Sequence, residues 1–82
     1  MNLKLTEAQV ALILNARTKL GWSEDLLASK SGVSLRSIQN LEHYRHQSFH
    51  EANIHAVVLA LGLSWPEFLA LNPLEASPPP SL

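Results

Sequence analysis

The chain has no cysteine, which excludes disulfides, thiolate nucleophiles and cysteine zinc sites. No apolar run approaches the roughly 18 residues of a membrane span. Met1-Asn2-Leu3-Lys4 also lacks the apolar stretch of a signal peptide. The expectation is a soluble, unprocessed, cytoplasmic chain with no membrane association. No nucleophile–base pair, glycine-rich phosphate loop or carboxylate dyad stands at a meaningful spacing, so the chain does not read as an enzyme and implies no cofactor. With 82 residues it should form one domain, whose core can stand without staples.

Basic charge is scarce overall but unevenly placed. Six Lys and Arg face seven Asp and Glu, for a net charge of −1. Residues 15–50 carry Arg17, Lys19, Lys30, Arg36 and Arg45 against Glu24, Asp25 and Glu42, a balance of +2. Residues 51–82 carry Glu51, Glu67 and Glu75 with no Lys or Arg, a balance of −3. Histidines at 43, 46 and 50 add positive charge to the first region as the pH falls. These three, at i, i+3 and i+7, with His55 further on, invite a zinc reading. A helix break near Gln47-Ser48 should scatter them, and no carboxylate or thiol completes a set, so no metal is expected.

Helix ends are clearly marked. Thr6-x-x-Gln9 is a capping box that opens a helix to about Lys19, with Val10, Ile13 and Leu14 on one face. Ser23 caps a second helix, and Glu24 and Asp25 in its first turn suit the helix dipole. Gly32 ends that helix, and Ser34 caps a third, with Val33, Ile38 and Leu41 facing inward. Ser48-x-x-Glu51 reads as a box for a fourth helix carrying Ile54, Val57, Val58 and Leu61, which Gly62 stops. Ser64-x-x-Glu67 boxes a short fifth around Trp65, Phe68 and Leu69, with Pro66 tolerated in the first turn. No segment shows strand alternation. The expected fold is all-α, a five-helix bundle over residues 1–71. From Asn72 the composition changes, and residues 72–82, with their run Pro78-Pro79-Pro80, read as an extended proline-rich tail.

Residues 21–42 carry the functional signal. Two short helix patterns flank the turn at Ser31-Gly32-Val33-Ser34, and spacing puts Leu35, Arg36, Gln39, Asn40 and His43 off the apolar stripe of the second. That is the pattern of a helix-turn-helix, which holds a helix out for the DNA major groove; an ordinary helix hairpin fits the spacing as well.

The chain resembles the Xre/Cro class of phage and bacterial repressors. The blocks that carry the likeness are Arg17-x-x-x-Gly21, Leu27-Ala28-x-Lys30-x-Gly32, Ser37-Ile38-x-x-Leu41-Glu42 and Leu59-Ala60-Leu61-Gly62-Leu63-Ser64, within residues 14–71. The resemblance implies a lambda repressor-like five-helix domain that binds double-stranded DNA. It places Ser34, Leu35, Arg36 and Asn40 at base-reading positions, to which exposed Gln39 adds. Arg36 would fork onto guanine, Asn40 pair with adenine and Leu35 meet a thymine methyl. Phosphate contacts fall to Ser23, Lys30 and Ser37, and after the third helix to His43, Tyr44, Arg45 and His46. Arg17 and Glu42 fall on a structural pair tying the first helix to the third. Two departures stand out. Glu24 replaces a glutamine that would meet a phosphate, and His43-Tyr44-Arg45-His46-Gln47 replaces a glycine-containing, often lysine-rich loop.

Leu59, Trp65, Leu69 and Leu71 form an expected exposed apolar patch, a candidate homodimer interface. The leading expectation is a repressor that acts as a homodimer on a palindromic operator. The second is an antitoxin or protein-interaction module that keeps the fold with little DNA binding, its partner held through the tail or fifth helix.

Overall fold

A computed structural model describes residues 2–43 and 48–71. Strand β1 (Asn2–Lys4) leads into helices α1 (Glu7–Lys19), α2 (Glu24–Ser31) and α3 (Leu35–Glu42). Strand β2 (Ser48–His50) then precedes α4 (Glu51–Ala60) and α5 (Trp65–Ala70). The described residues are thus mostly helical, with five helices. Among them, no helix is long and apolar enough to cross a membrane.

The strands correct the expectation of helices alone. β1 and β2 pair antiparallel in the register Asn2↔His50, Leu3↔Phe49 and Lys4↔Ser48. Three-residue strands are too short to display alternation in the sequence, yet the alternation is present. Leu3 is buried between exposed Asn2 and Lys4, and half-buried Phe49 sits between exposed Ser48 and His50.

The same ladder overturns the expected capping box at Ser48. Ser48 is committed to strand pairing with Lys4, so α4 starts only at Glu51, capped by His50 without a side-chain hydrogen bond. The other caps follow the sequence. Thr6 Oγ1 accepts from Gln9 N–H at 3.2 Å while Gln9 Oε1 accepts from Thr6 N–H at 3.0 Å. Ser23 Oγ accepts from Leu26 N–H, and Ser34 Oγ from Ser37 N–H. At α5, Ser64 Oγ accepts from Glu67 N–H at 3.4 Å.

Apolar side chains from every element share one core, centred on Ile13, Leu27, Ile38, Leu41, Val58 and Phe68. Within it α1 packs on α3, α2 on both α3 and α4, and α4 on α5. Leu3 and Leu5 join from β1 and the segment after it. Leu14, expected on the inner face of α1, is only half-buried.

Among the described residues, one polar side chain sits inside this core. Gln9 is fully buried; its Oε1 completes the capping box, and its Nε2 donates to the Phe68 carbonyl at 3.0 Å. A single amide therefore starts α1 and anchors α5. Replacing it with leucine keeps the volume but orphans a buried carbonyl and a helix-start N–H. Gln9→Leu should lose about 1–3 kcal/mol, and a urea unfolding curve beside wild type checks it. A variant of unchanged midpoint would mean that water reaches these groups.

Candidate nucleic-acid interface

Between α2 and α3 the chain turns within three residues. Gly32 caps α2 in the left-handed region at φ 76°, and its N–H donates to the Ala28 carbonyl at 2.9 Å. A side chain would meet no atom within 4 Å there, so glycine is favoured by backbone conformation alone. Ser31 Oγ accepts from Val33 N–H, and buried Val33 closes the turn against the core. Ser34 then starts α3.

Helix α3 divides cleanly. Ile38 and Leu41 are fully buried, while Arg36 and His43 are exposed. Leu35, Gln39 and Asn40 are half-buried, so Leu35 is not the fully exposed leucine that its place off the stripe implies. Ser34 is exposed, but its hydroxyl is engaged with Ser37, as acceptor from the N–H and as donor to Oγ at 3.0 Å. Ser23 is exposed at the start of α2. Exposed Lys30 lies with its ammonium 5.6 Å from the centroid of the Trp22 ring, a cation–π contact. Tyr44, Arg45 and His46 lie outside the described residues.

Behind this face, Arg17 and Glu42 meet. Arg17 Nε donates to Glu42 Oε2 at 2.6 Å and Nη2 to Oε1 at 2.9 Å, a two-pronged pair. Its third nitrogen, Nη1, donates to the Trp22 carbonyl at 2.6 Å. Gly21 puts that carbonyl in place. At φ 73°, Gly21 donates to the Thr18 carbonyl while Trp22 donates to that of Arg17, the Schellman ending that only a left-handed residue makes cheaply. The part played by Trp22 is invisible in the sequence, because a backbone carbonyl carries no residue signature.

Glu24 is turned inward rather than outward. Its Oε2 lies 3.7 Å from His43 Nε2, and its charge acts on both Arg17 and Glu42. The two members of the Arg17–Glu42 pair feel this differently. Hydrogen bonding to Glu42 holds the Arg17 guanidinium protonated even more firmly than usual. Burial pushes the Glu42 carboxyl above the ordinary carboxylate range; Arg17 pulls it back down, and Glu24 pushes it up again. No group of three or more His, Cys, Asp or Glu placed to hold a metal occurs among the described residues.

On α4 and just after α5, Leu59 is 55 % and Leu71 42 % exposed. Trp65 and Leu69, the other two residues of the expected patch, are half-buried and packed against the core. Trp65 stacks on Phe68 and lies 4.6 Å, centroid to centroid, from the ring of His55. Comparison with family models, curated proteins and solved structures finds no match for this chain.

Removing one partner of the buried pair should be costly. Glu42→Ala strands the Arg17 charge and should lose about 3 kcal/mol in urea unfolding. Titration adds a second test. A carboxyl whose folded value is raised holds its proton more tightly when folded. Its contribution is therefore complete below the ordinary carboxylate value and is lost as the pH rises through the folded one. The stability of wild type relative to Glu42→Gln should fall as the pH rises through that window. A difference that grows with pH would reverse the sign assigned to burial.

Proposed function

We propose that this chain is a sequence-specific DNA-binding regulator, and that α2, the turn and α3 form a helix-turn-helix with α3 as the recognition helix. The observation that carries this reading is the division of α3. Its inner face is locked by Ile38, Leu41 and the Arg17–Glu42 pair, while Arg36 stands exposed in its first turn. An arginine at that position can reach guanine O6 and N7 in the major groove. Gln39 and Asn40, half-buried on the same short helix, supply the amides that adenine accepts. The resemblance to Xre/Cro repressors supports the same register, since its base-reading positions fall on Ser34, Leu35, Arg36 and Asn40.

Phosphate contacts come from Ser23, which caps α2, from Lys30 on α2, from Ser37 on α3 and from His43, which caps α3. They fix docking rather than sequence. Repression follows by occupancy of the operator.

Binding-site selection on random duplexes tests the base-reading role. Arg36→Ala should lose about 1–3 kcal/mol of specific binding and relax the preference at one base pair. An unchanged preference would remove Arg36 from the base-reading set, and failure of wild type to enrich any sequence would favour the protein-interaction reading instead.

The reading includes a twofold dimer through Leu59, Leu71 and the outer edge of Trp65. Exposed Leu59 and Leu71 support it, since large apolar side chains in the open commonly mark an interface. A twofold pairing would set two copies of α3 about one DNA turn, roughly 34 Å, apart and imply a palindromic operator. Sedimentation checks this: wild type should dimerise at tens of micromolar with DNA, and Leu59→Glu should not. A wild type that stays monomeric under those conditions rules the dimer out.

A further inference from the structure

The guanidinium of Arg17 holds more than Glu42. Its Nη1 donates to the Trp22 carbonyl at 2.6 Å, and the Arg17 carbonyl accepts from Trp22 N–H at 3.1 Å. Both backbone groups of Trp22 are therefore bound by Arg17, which is itself tied to the end of α3 through Glu42. The ring follows that backbone. Half-buried, it packs against the core and offers a face to the Lys30 ammonium, 5.6 Å from its centroid. One line of contacts thus runs from Glu42 of α3 through Arg17 of α1 and Trp22 to Lys30 in the last turn of α2.

Helical geometry brings the last two together. Side chains on a helix lean toward its start, and Trp22, Leu26 and Lys30 follow one another at steps of four residues. The contact also differs from a salt bridge, because a ring face attracts a cation without cancelling its charge. Glu24 and Asp25 lie six and five residues before Lys30, off the spacings of three and four at which helix side chains meet. Among the described residues, neither ion pair includes Lys30. The ammonium is thus held, yet its donors are left for an anion. A lysine in open water gives up rotamer freedom when it meets a phosphate, whereas one already held over a ring has given up part of it on folding.

We propose that Trp22 is a positioning residue for DNA binding, whose ring holds Lys30 ready for a backbone phosphate at a place set by the Arg17–Glu42 clamp. The inference rests on the DNA-binding reading above. It couples the two helices of the motif: the carboxylate that fixes the end of α3 also fixes, through the ring, a phosphate contact of α2. Phosphate contacts set register on the duplex, so one set of bonds aligns the helix that reads bases with the helix that grips the backbone.

The test uses the full chain and a short labelled duplex of mixed sequence, because phosphate contacts do not depend on sequence. Affinity is measured over a range of salt concentrations. Lys30→Gln should lower the salt slope by about one. Trp22→Leu leaves the charge in place and should keep the slope. It should nevertheless bind about two- to fivefold more weakly, the range that a surface cation–π contact spans. Trp22→Phe retains a ring face and should recover most of that loss. In the Lys30→Gln background, Trp22→Leu should cost nothing further. An unchanged slope in Lys30→Gln, no loss in Trp22→Leu, or an equal loss in both backgrounds overturns the inference while DNA binding stands. Proton NMR of wild type adds a check that needs neither DNA nor a change at Trp22. The ring current should move the side-chain methylene protons of Lys30 upfield of those of exposed Lys19, and equal shifts overturn the inference. A wild type that binds no duplex at any salt concentration overturns the DNA-binding reading and the inference with it.

Discussion

Three oxygens converge on the guanidinium of Arg17: both from the Glu42 carboxyl and one from the backbone of Trp22. They belong to the end of α3 and to the turn after α1, so a single planar cation on α1 joins both. Taking such charges out of water costs several kcal/mol each, and only good geometry offsets it. The two-pronged fit of guanidinium to carboxylate supplies that geometry, and lysine could not reproduce it. The core residues Ile38 and Leu41 fix where α3 lies. The polar clamp fixes its far end, and the direction in which Arg36 and His43 point follows from both.

Around this clamp the acidic residues serve opposing demands. A carboxylate in the first turn of a helix interacts favourably with the helix dipole, and Glu24 meets that condition on α2. The same charge facing outward would repel an approaching phosphate. Turning it toward His43 and Glu42 keeps the favourable helix term and half-buries the repulsive one. The cost falls on Glu42, which is nearly inaccessible and has a second carboxylate for a neighbour. Arg17 is what makes that crowding tolerable.

Much of the helical framework was legible from short-range chemistry. Thr6, Ser23 and Ser34 announce helix starts by side-chain hydrogen bonds that span only three residues, and Gly32 announces an end. The inward faces of α3 and α4 follow from the spacing of Ile38 and Leu41 and of Ile54, Val57, Val58 and Leu61. Ser48 misled because its local pattern with Glu51 is a sound cap, yet pairing with Lys4 at the other end of the chain takes precedence. In the candidate site, the exposure of Arg36 could be read from helical spacing. The inward turn of Glu24 could not, since it depends on how the start of α2 meets the end of α3. The place of Trp22 was hidden for a different reason: a carbonyl does the bonding, and the side chain says nothing of it.

The two contacts that close the molecule both join residues far apart in the chain. Leu3 pairs with Phe49 across the small sheet, and Gln9 reaches the carbonyl of Phe68. Helices α1, α2 and α3, by contrast, meet through short connections. Contacts between distant residues are repaid only after the loop between them has been ordered. The order of assembly follows: the three-helix corner can form as soon as its own residues are available, whereas the β1–β2 ladder and the bond from Gln9 Nε2 to the Phe68 carbonyl wait until β2 and α5 arrive. During synthesis β1 therefore emerges before α1, α2 and α3 yet is secured only after them, once β2 has been made.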